Sequence, residues 1–346
     1  MISKLFSYFS KDLAIDLGTA NTLIYTREDG IILNEPSVVA VEIQGEHLIP
    51  ISFGKEAKLT LGKTPAKIQA IRPLKDGVIA DFKIAEEMIR HFILSVSKAN
   101  AFFRPIIIIC VPSTSTSVER RAIQDAAESA GAKVAFLIEE PMAAAIGAGL
   151  PIGEATGSMV VDIGGGTTEV AVISLSGVVY ANSLRVGGDK MDEAIIQYIR
   201  REYNLLVGEA TAEKIKKTIG TAKVSGLKDD KTMIIKGRDL LNGIPKQITV
   251  SEIDISEALN DSVQKIIDSI KSALEFTPPE LSSDIVERGI VLTGGGAMLR
   301  NLDKAIAKET GLSIKVAEEP LFCVAKGTGF VLDNFEKYKH LLFRQE

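Results

Sequence analysis

The chain has 346 residues, 46% of them hydrophobic and 25% charged, which suits a well-packed globular protein with more than one core. Its formal net charge of −5 lacks the basic surplus of a general nucleic-acid binder, so no nucleic-acid partner is expected. The two cysteines, Cys110 and Cys323, have no metal-type neighbour at short spacing, and a reducing cytoplasm suits them. No apolar run exceeds strand length, so none is expected to span a bilayer, and residues 1–10 are too short and polar for a secretory signal.

Apolar runs at residues 13–16 and 22–25 flank Leu17-Gly18-Thr19-Ala20-Asn21 and predict a β-hairpin with a turn of glycine and small polar residues. Another strand is expected at 38–43. Residues 78–97 carry a helical pattern that sets Ile84, Met88, Phe92 and Val96 on one face. The β-branched run 106–111 predicts a strand buried on both sides. A Ser/Thr-rich cap then leads into a helix at 118–130, closed by Gly131. A strand at 134–138 and an alanine-rich helix from Pro141 to Gly149 complete an α/β half with a mostly parallel sheet.

The pattern then restarts. Residues 159–162, a glycine-rich turn and residues 169–174 repeat the Asp–Gly hairpin, and 178–184 supplies a third strand. Helices are expected at 191–203, 211–222, 254–275 and 302–310. Residues 228–250 read as polar and strand-like, and 289–293 as a buried strand before Gly294-Gly295-Gly296. The tail, 330–343, is expected to be helical. A repeated hairpin opening two α/β halves predicts a duplicated architecture with a cleft between the halves.

The two hairpin turns, Asp16-Leu17-Gly18-Thr19 and Asp162-Ile163-Gly164-Gly165-Gly166-Thr167, suit a triphosphate. Backbone N–H groups in a glycine turn approach phosphate oxygens with no side chain in the way. Thr19, Asn21, Thr22, Thr167 and Thr168 add side-chain donors. An aspartate at the head of each loop repels phosphate directly, so its useful task is to hold Mg2+, through water, because that ion keeps much of its hydration shell. Taken singly, each loop also reads as a plain hairpin turn.

Together with Leu292-Thr293-Gly294-Gly295-Gly296, these loops resemble the two phosphate motifs and the adenosine motif of the actin/Hsp70/sugar-kinase superfamily. Glu140-Pro141-Met142-Ala143-Ala144-Ala145 and Val324-Ala325-Lys326-Gly327-Thr328-Gly329 resemble its connecting helices. Neither a Walker P-loop nor a dinucleotide fingerprint is present. Within the superfamily the chain resembles the bacterial actins over nearly its full length, through residues 14–22, 34–40, 72–81 and 185–192. The resemblance implies an α/β, actin-like ATPase fold: two duplicated domains around a nucleotide cleft, each with a small inserted subdomain. It divides the chain into domain IA (residues 1–33, 72–149 and 324–346), subdomain IB (34–71), domain IIA (150–183 and 251–323) and subdomain IIB (184–250).

The resemblance also implies ATP and Mg2+ as cofactors and a slow, Mg-dependent ATPase coupled to polymerisation. Nucleotide contacts are expected from Gly18, Thr19, Ala20, Asn21, Gly164, Gly165, Gly166, Thr167, Gly294, Gly295, Gly296 and Ala297, with Asp16 and Asp162 at the metal. Glu140 is implied to orient the attacking water, assisted by Thr167, while Glu139 faces elsewhere. The alternative for both glutamates is a helix cap, where negative charge is favoured. Glu213 and Lys216, three apart on a helix, resemble a ribose and adenine contact, and otherwise read as a solvated pair.

Ile2, Leu5, Phe6 and Phe9 follow the i, i+3, i+4, i+7 spacing of a short amphipathic helix, and Phe102-Phe103 interrupts a polar loop. Core packing is one reading of each. Lipid attachment is the other, since burying a large apolar side chain is worth roughly 1.5–3 kcal/mol. The resemblance implies a peripheral protein on the inner face of the cytoplasmic membrane that forms head-to-tail protofilaments, paired antiparallel near Val118. Its partners would be copies of itself, inner-membrane lipids and membrane proteins of the elongation machinery, and its task cell-wall organisation for cell shape. An Hsp70-like chaperone lacks sequence for a peptide-binding domain after residue 329, and a sugar kinase lacks a distinctive substrate motif.

Overall fold

The computed structural model describes residues 12–96, 104–223 and 231–345. Strands β1 (Leu13–Leu17) and β2 (Asn21–Thr26) form the expected hairpin, with Asp16 opposite Leu23, and β3 (Gly30–Pro36) extends it. A separate three-stranded sheet follows from β4 (Val39–Gln44), β5 (His47–Phe53) and β6 (Ile68–Ile71), with the short helix α1 (Gly54–Leu59). Residues 78–79 are not helical as expected: β7 (Leu74–Lys75) pairs with β8 (Val78–Ile79). Helix α2 (Phe82–Val96) starts later because the Asp81 carboxylate accepts the Ile84 N–H at 3.0 Å, satisfying a donor left free at a helix start. Its Ile84, Met88 and Phe92 are buried as their spacing requires.

Strand β9 (Ile106–Val111) leads to α3 (Ser117–Ser129), opened by a reciprocal capping box between Thr116 and Glu119. Strand β10 (Val134–Glu139) runs directly into α4 (Glu140–Gly147). The first sheet has the order β10-β9-β1-β2-β3.

The second half opens with β11 (Ser158–Ile163), β12 (Thr168–Ser174) and β13 (Gly177–Leu184), followed by α5 (Gly188–Tyr203). Then come β14 (Leu205–Leu206) and α6 (Glu209–Ile219), the latter shorter at its C-terminus than the expected 211–222. The polar stretch resolves into a hairpin, β15 (Thr232–Asp239) and β16 (Pro245–Ser251), paired with β14 in a small sheet. Helices α7 (Glu252–Phe276) and α8 (Pro279–Arg288) precede β17 (Ile290–Thr293), α9 (Leu302–Thr310) and β18 (Ile314–Val316). The second sheet has the order β13-β12-β11-β17-β18. Matched strand for strand, with β1 as β11 and β9 as β17, the two sheets have one connectivity.

Each sheet has its own core. A third apolar cluster joins them, combining Ala14, Ile108 and Ile138 of the first half with Val160, Ala171 and Ile173 of the second. Its centre is the crossing of α4 with α10 (Cys323–Asp333). The tail is helical as expected through residue 341, with the end of α10, then α11 (Phe335–Tyr338) and a 3-10 turn at Lys339–Leu341. The expectation fails only at its end, where Phe343 forms a β-bridge with Leu137. There its backbone exchanges both hydrogen bonds with Leu137, at 2.9 and 3.0 Å, which a helix would forbid.

Candidate nucleotide site

A cavity of about 450 Å3 lies between the two halves. Both Asp–Gly loops reach it because each hairpin turn sits at the end of a central strand, β1 or β11, aimed at the same cleft. Asp16, Gly18, Thr19, Ala20 and Asn21 line it from the first half, and Asp162, Gly164, Gly165 and Thr167 from the second. Gly166 lies behind the wall, where an added Cβ would come within 2.9 Å of the Asp76 N and the Thr19 side chain. The third turn contributes Gly294, Gly295 and Gly296. Gly294 has φ +79° and no room for a side chain, since a Cβ would strike the carbonyl of Ile163 in the second loop. Ala297 belongs instead to the second core.

Glu140 lines the cavity at the first turn of α4, whereas Glu139 lines a separate cavity of about 540 Å3 beside Ser176 and His340. One residue of strand-to-helix transition turns the two carboxylates to opposite sides. Glu213 and Lys216 both line the main cavity but do not pair with each other. Glu213 is held by Lys58 at 2.9 Å and Lys217 at 2.6 Å. Lys216 Nζ binds Asp192 at 2.9 Å and donates to the Gly188 carbonyl at 2.6 Å. The Asn21 amide donates to Asn34 Oδ1 at 2.7 Å, so one of its donors is already committed. Ile2, Leu5, Phe6, Phe9, Phe102 and Phe103 lie outside the described residues.

The electrostatics of the cleft centre on crowded carboxyl groups. Burial, reinforced by the charge of Asp162, pushes Asp16 up to about 8. Burial also raises Asp162 against the opposing hydrogen bonds from the Thr293 hydroxyl (2.7 Å) and Glu140. Glu140 is raised well above the carboxylate range by burial, then by the charges of Glu169, Asp162 and Asp16. Glu213 goes the other way, to about 2, because Lys217 and Lys58 outweigh its burial.

Glu169, which is not among the expected site residues, is pushed up to about 7 by burial. The signal available was a lone carboxylate in an otherwise apolar strand, Val170-Ala171-Val172-Ile173. Three further carboxylates on the cavity wall, Glu119, Asp189 and Asp192, were not among the expected site residues either.

Two duplicated α/β domains that aim paired Asp–Gly loops into one cleft define the actin-like ATPase class. A family model described as MreB/Mbl protein matches residues 10–340, and the chain belongs to the MreB/Mbl family. It is 55% identical to the cell shape-determining protein MreB of Escherichia coli K12, over 100% of both chains. It is 49% identical to Mbl of Bacillus subtilis, over 95% of this chain and 98% of that one. Among solved structures it resembles MreB5 of Spiroplasma citri bound to AMPPNP, with a TM-score of 0.89 and 38% identity over 95% of this chain and 98% of that one. The MamK double helical filament shares the fold, at a TM-score of 0.78 and 21% identity over 93% of this chain and 98% of that one. These relationships favour the cytoskeletal class over the chaperone and kinase alternatives.

Proposed function

We propose that the chain is a slow, Mg-dependent ATPase that polymerises into filaments on the inner face of the cytoplasmic membrane and organises cell-wall synthesis for cell shape. One observation carries the nucleotide part: Asp16, Asp162, Glu140 and three glycine turns converge on one interdomain cavity. The curated relatives named as cell shape-determining proteins support the cellular part. The AMPPNP-bound relative supports a nucleoside triphosphate as ligand.

Two buried carboxylates, both raised by burial and Asp16 also by the charge of Asp162, fit a hard divalent cation, whose charge favours their ionised forms. Bound Mg2+ supplies charge neutralisation on the phosphate oxygens. Among the described residues no cluster of three or more His, Cys, Asp or Glu is arranged to hold a metal, so water and phosphate would complete the shell. The backbone amides of the loops cradle the phosphates, with Thr19 and Thr167 as side-chain donors. Glu140 orients the attacking water from the first turn of α4, on the cavity wall. Glu213 and Lys216 meet the ribose and base, and the Gly294–Gly296 turn closes over the adenosine.

The sequence divides into domains IA and IIA, one on each sheet, and inserted subdomains IB and IIB, one on each small sheet. Val118, 66% exposed on the first turn of α3, suits a contact between paired antiparallel protofilaments. No helix among the described residues is long and apolar enough to cross a membrane. Attachment falls to Ile2, Leu5, Phe6 and Phe9 with Phe102 and Phe103, weak singly and strengthened by repetition along a filament. Membrane proteins of the elongation machinery are the proposed partners.

Sedimentation with anionic liposomes and Mg-ATP tests this reading, comparing the full chain with one lacking residues 1–10. The full chain should pellet with lipid, and the truncated chain should polymerise yet stay largely in the supernatant. A protein that remains monomeric and soluble under every nucleotide and lipid condition would sink the proposal.

A further inference from the structure

Glu169 is 1% exposed, and burying a carboxylate is costly unless something is gained from it. The duplicated fold reveals that its position does not demand one. In the second half Asp162 lies opposite Glu169 across β11 and β12, and in the first half Asp16 lies opposite Leu23 across β1 and β2. Leu23 is equally buried, so the same site in the same fold is served by an apolar side chain. What Glu169 has and Leu23 lacks is an acceptor.

That acceptor takes a hydrogen bond from Ser183 of β13 in its own sheet and has a second partner across the domain boundary. The Ser113 N–H donates to both Glu169 carboxylate oxygens, at 3.3 and 3.4 Å. Ser113 belongs to the loop that leaves β9, and its neighbours Pro112 and Ser115 line the nucleotide cavity. Strand β10, paired in parallel with β9 in a register that sets Glu139 beside Val111, carries Glu140 at its end. The loop end and the catalytic carboxylate therefore leave adjacent strands side by side, and Glu169 reaches over from the other domain to hold the first of them.

We propose that Glu169 is a positioning residue for hydrolysis: by taking the Ser113 amide across the domain boundary, it fixes the loop after β9 and so the angle at which Glu140 enters the cavity. The nucleotide is gripped by other groups, so binding does not depend on this contact, but turnover does. Closure of the two domains and alignment of Glu140 thereby become one event. The inference rests on the assignment of Glu140 as the residue that orients water.

Three variants test it by steady-state ATPase kinetics and nucleotide titration on the full chain. Glu169→Leu installs the residue of the sister site and preserves the fold, Glu169→Gln retains an acceptor for the Ser113 amide, and Glu140→Ala serves as reference. Glu169→Leu should lower kcat about tenfold or more while KM and nucleotide Kd stay within about threefold, because misplacement costs rate rather than affinity. Glu169→Gln should recover most of the wild-type kcat. A Glu169→Leu variant with wild-type kcat overturns the inference, as does one in which Leu and Gln lose affinity and thermal stability together. If Glu140→Ala itself turns over normally, it is the assignment of Glu140 that falls. Normal turnover in Glu169→Leu alone leaves that assignment standing.

Discussion

The buried Asp16, Asp162 and Glu169 and the half-buried Glu140 bring four carboxyl groups to one region of the cleft, each raised above its ordinary value. The consequence for stability has a definite sign. Asp16 titrates near 8 in the folded chain and near 3.8 unfolded, so between these values the folded state holds the extra proton and stability falls as pH rises. Glu169, near 7 against 4.5, acts in the same direction. Glu213, lowered to about 2, has the opposite sign: its contribution is present above about 4.5 and is lost only as pH falls toward 2, outside that window. The melting temperature of the nucleotide-free protein should therefore decline from about pH 5 to about pH 8, and the decline should shrink with Mg-nucleotide present. A melting temperature that climbs across this range would refute the account of the carboxyl cluster. Asp16 and Asp162 were legible from sequence because each heads a glycine turn. Glu169 was not, because only the strand register brings it opposite Asp162.

Helices α4 and α10 pack tightly where they cross, and the apolar cluster there joins the two sheets. The crossing depends on glycine at two places: a Cβ on Gly147 would land on the Cys323 carbonyl oxygen, and one on Gly327 on the Ala143 carbonyl oxygen. Backbone cannot yield there as a flexible side-chain end would. Gly327→Ala should cost about 3 kcal/mol, the upper end for overpacking, read as a lower urea midpoint with an unchanged slope. An unchanged midpoint would mean that the helices separate freely.

Elements carrying one strong signal were readable in advance, as with the apolar strands β9, β11 and β17 and the stripe of α2. Residues 232–251 were harder, because a strand hairpin with half its side chains in water alternates weakly. Only the end of the tail departs from its helical pattern, because Phe343 is fixed by pairing with Leu137, a contact between residues far apart in sequence.

On the scale of the molecule, the duplication was legible because the Asp–Gly hairpin occurs twice, and identical sheet orders give it physical form. The ties across the cleft mouth were not legible. Lys58 beside the first small sheet reaches Glu213 of α6 at 2.9 Å, and Arg72 reaches Glu209 at 3.4 Å. Such partly solvated pairs contribute up to about 1 kcal/mol each, so the cleft is closed lightly and a bound nucleotide readily shifts the balance. The apolar cluster around α4 and α10 is the other tie between the halves.

Single-turnover phosphate release by Glu140→Ala tests the central claim most directly, with nucleotide affinity measured on the same protein. The account predicts wild-type affinity for Mg-ATP and a release rate lower by about 100-fold or more, the scale of a misplaced reacting group. Full affinity with an undiminished release rate would contradict it.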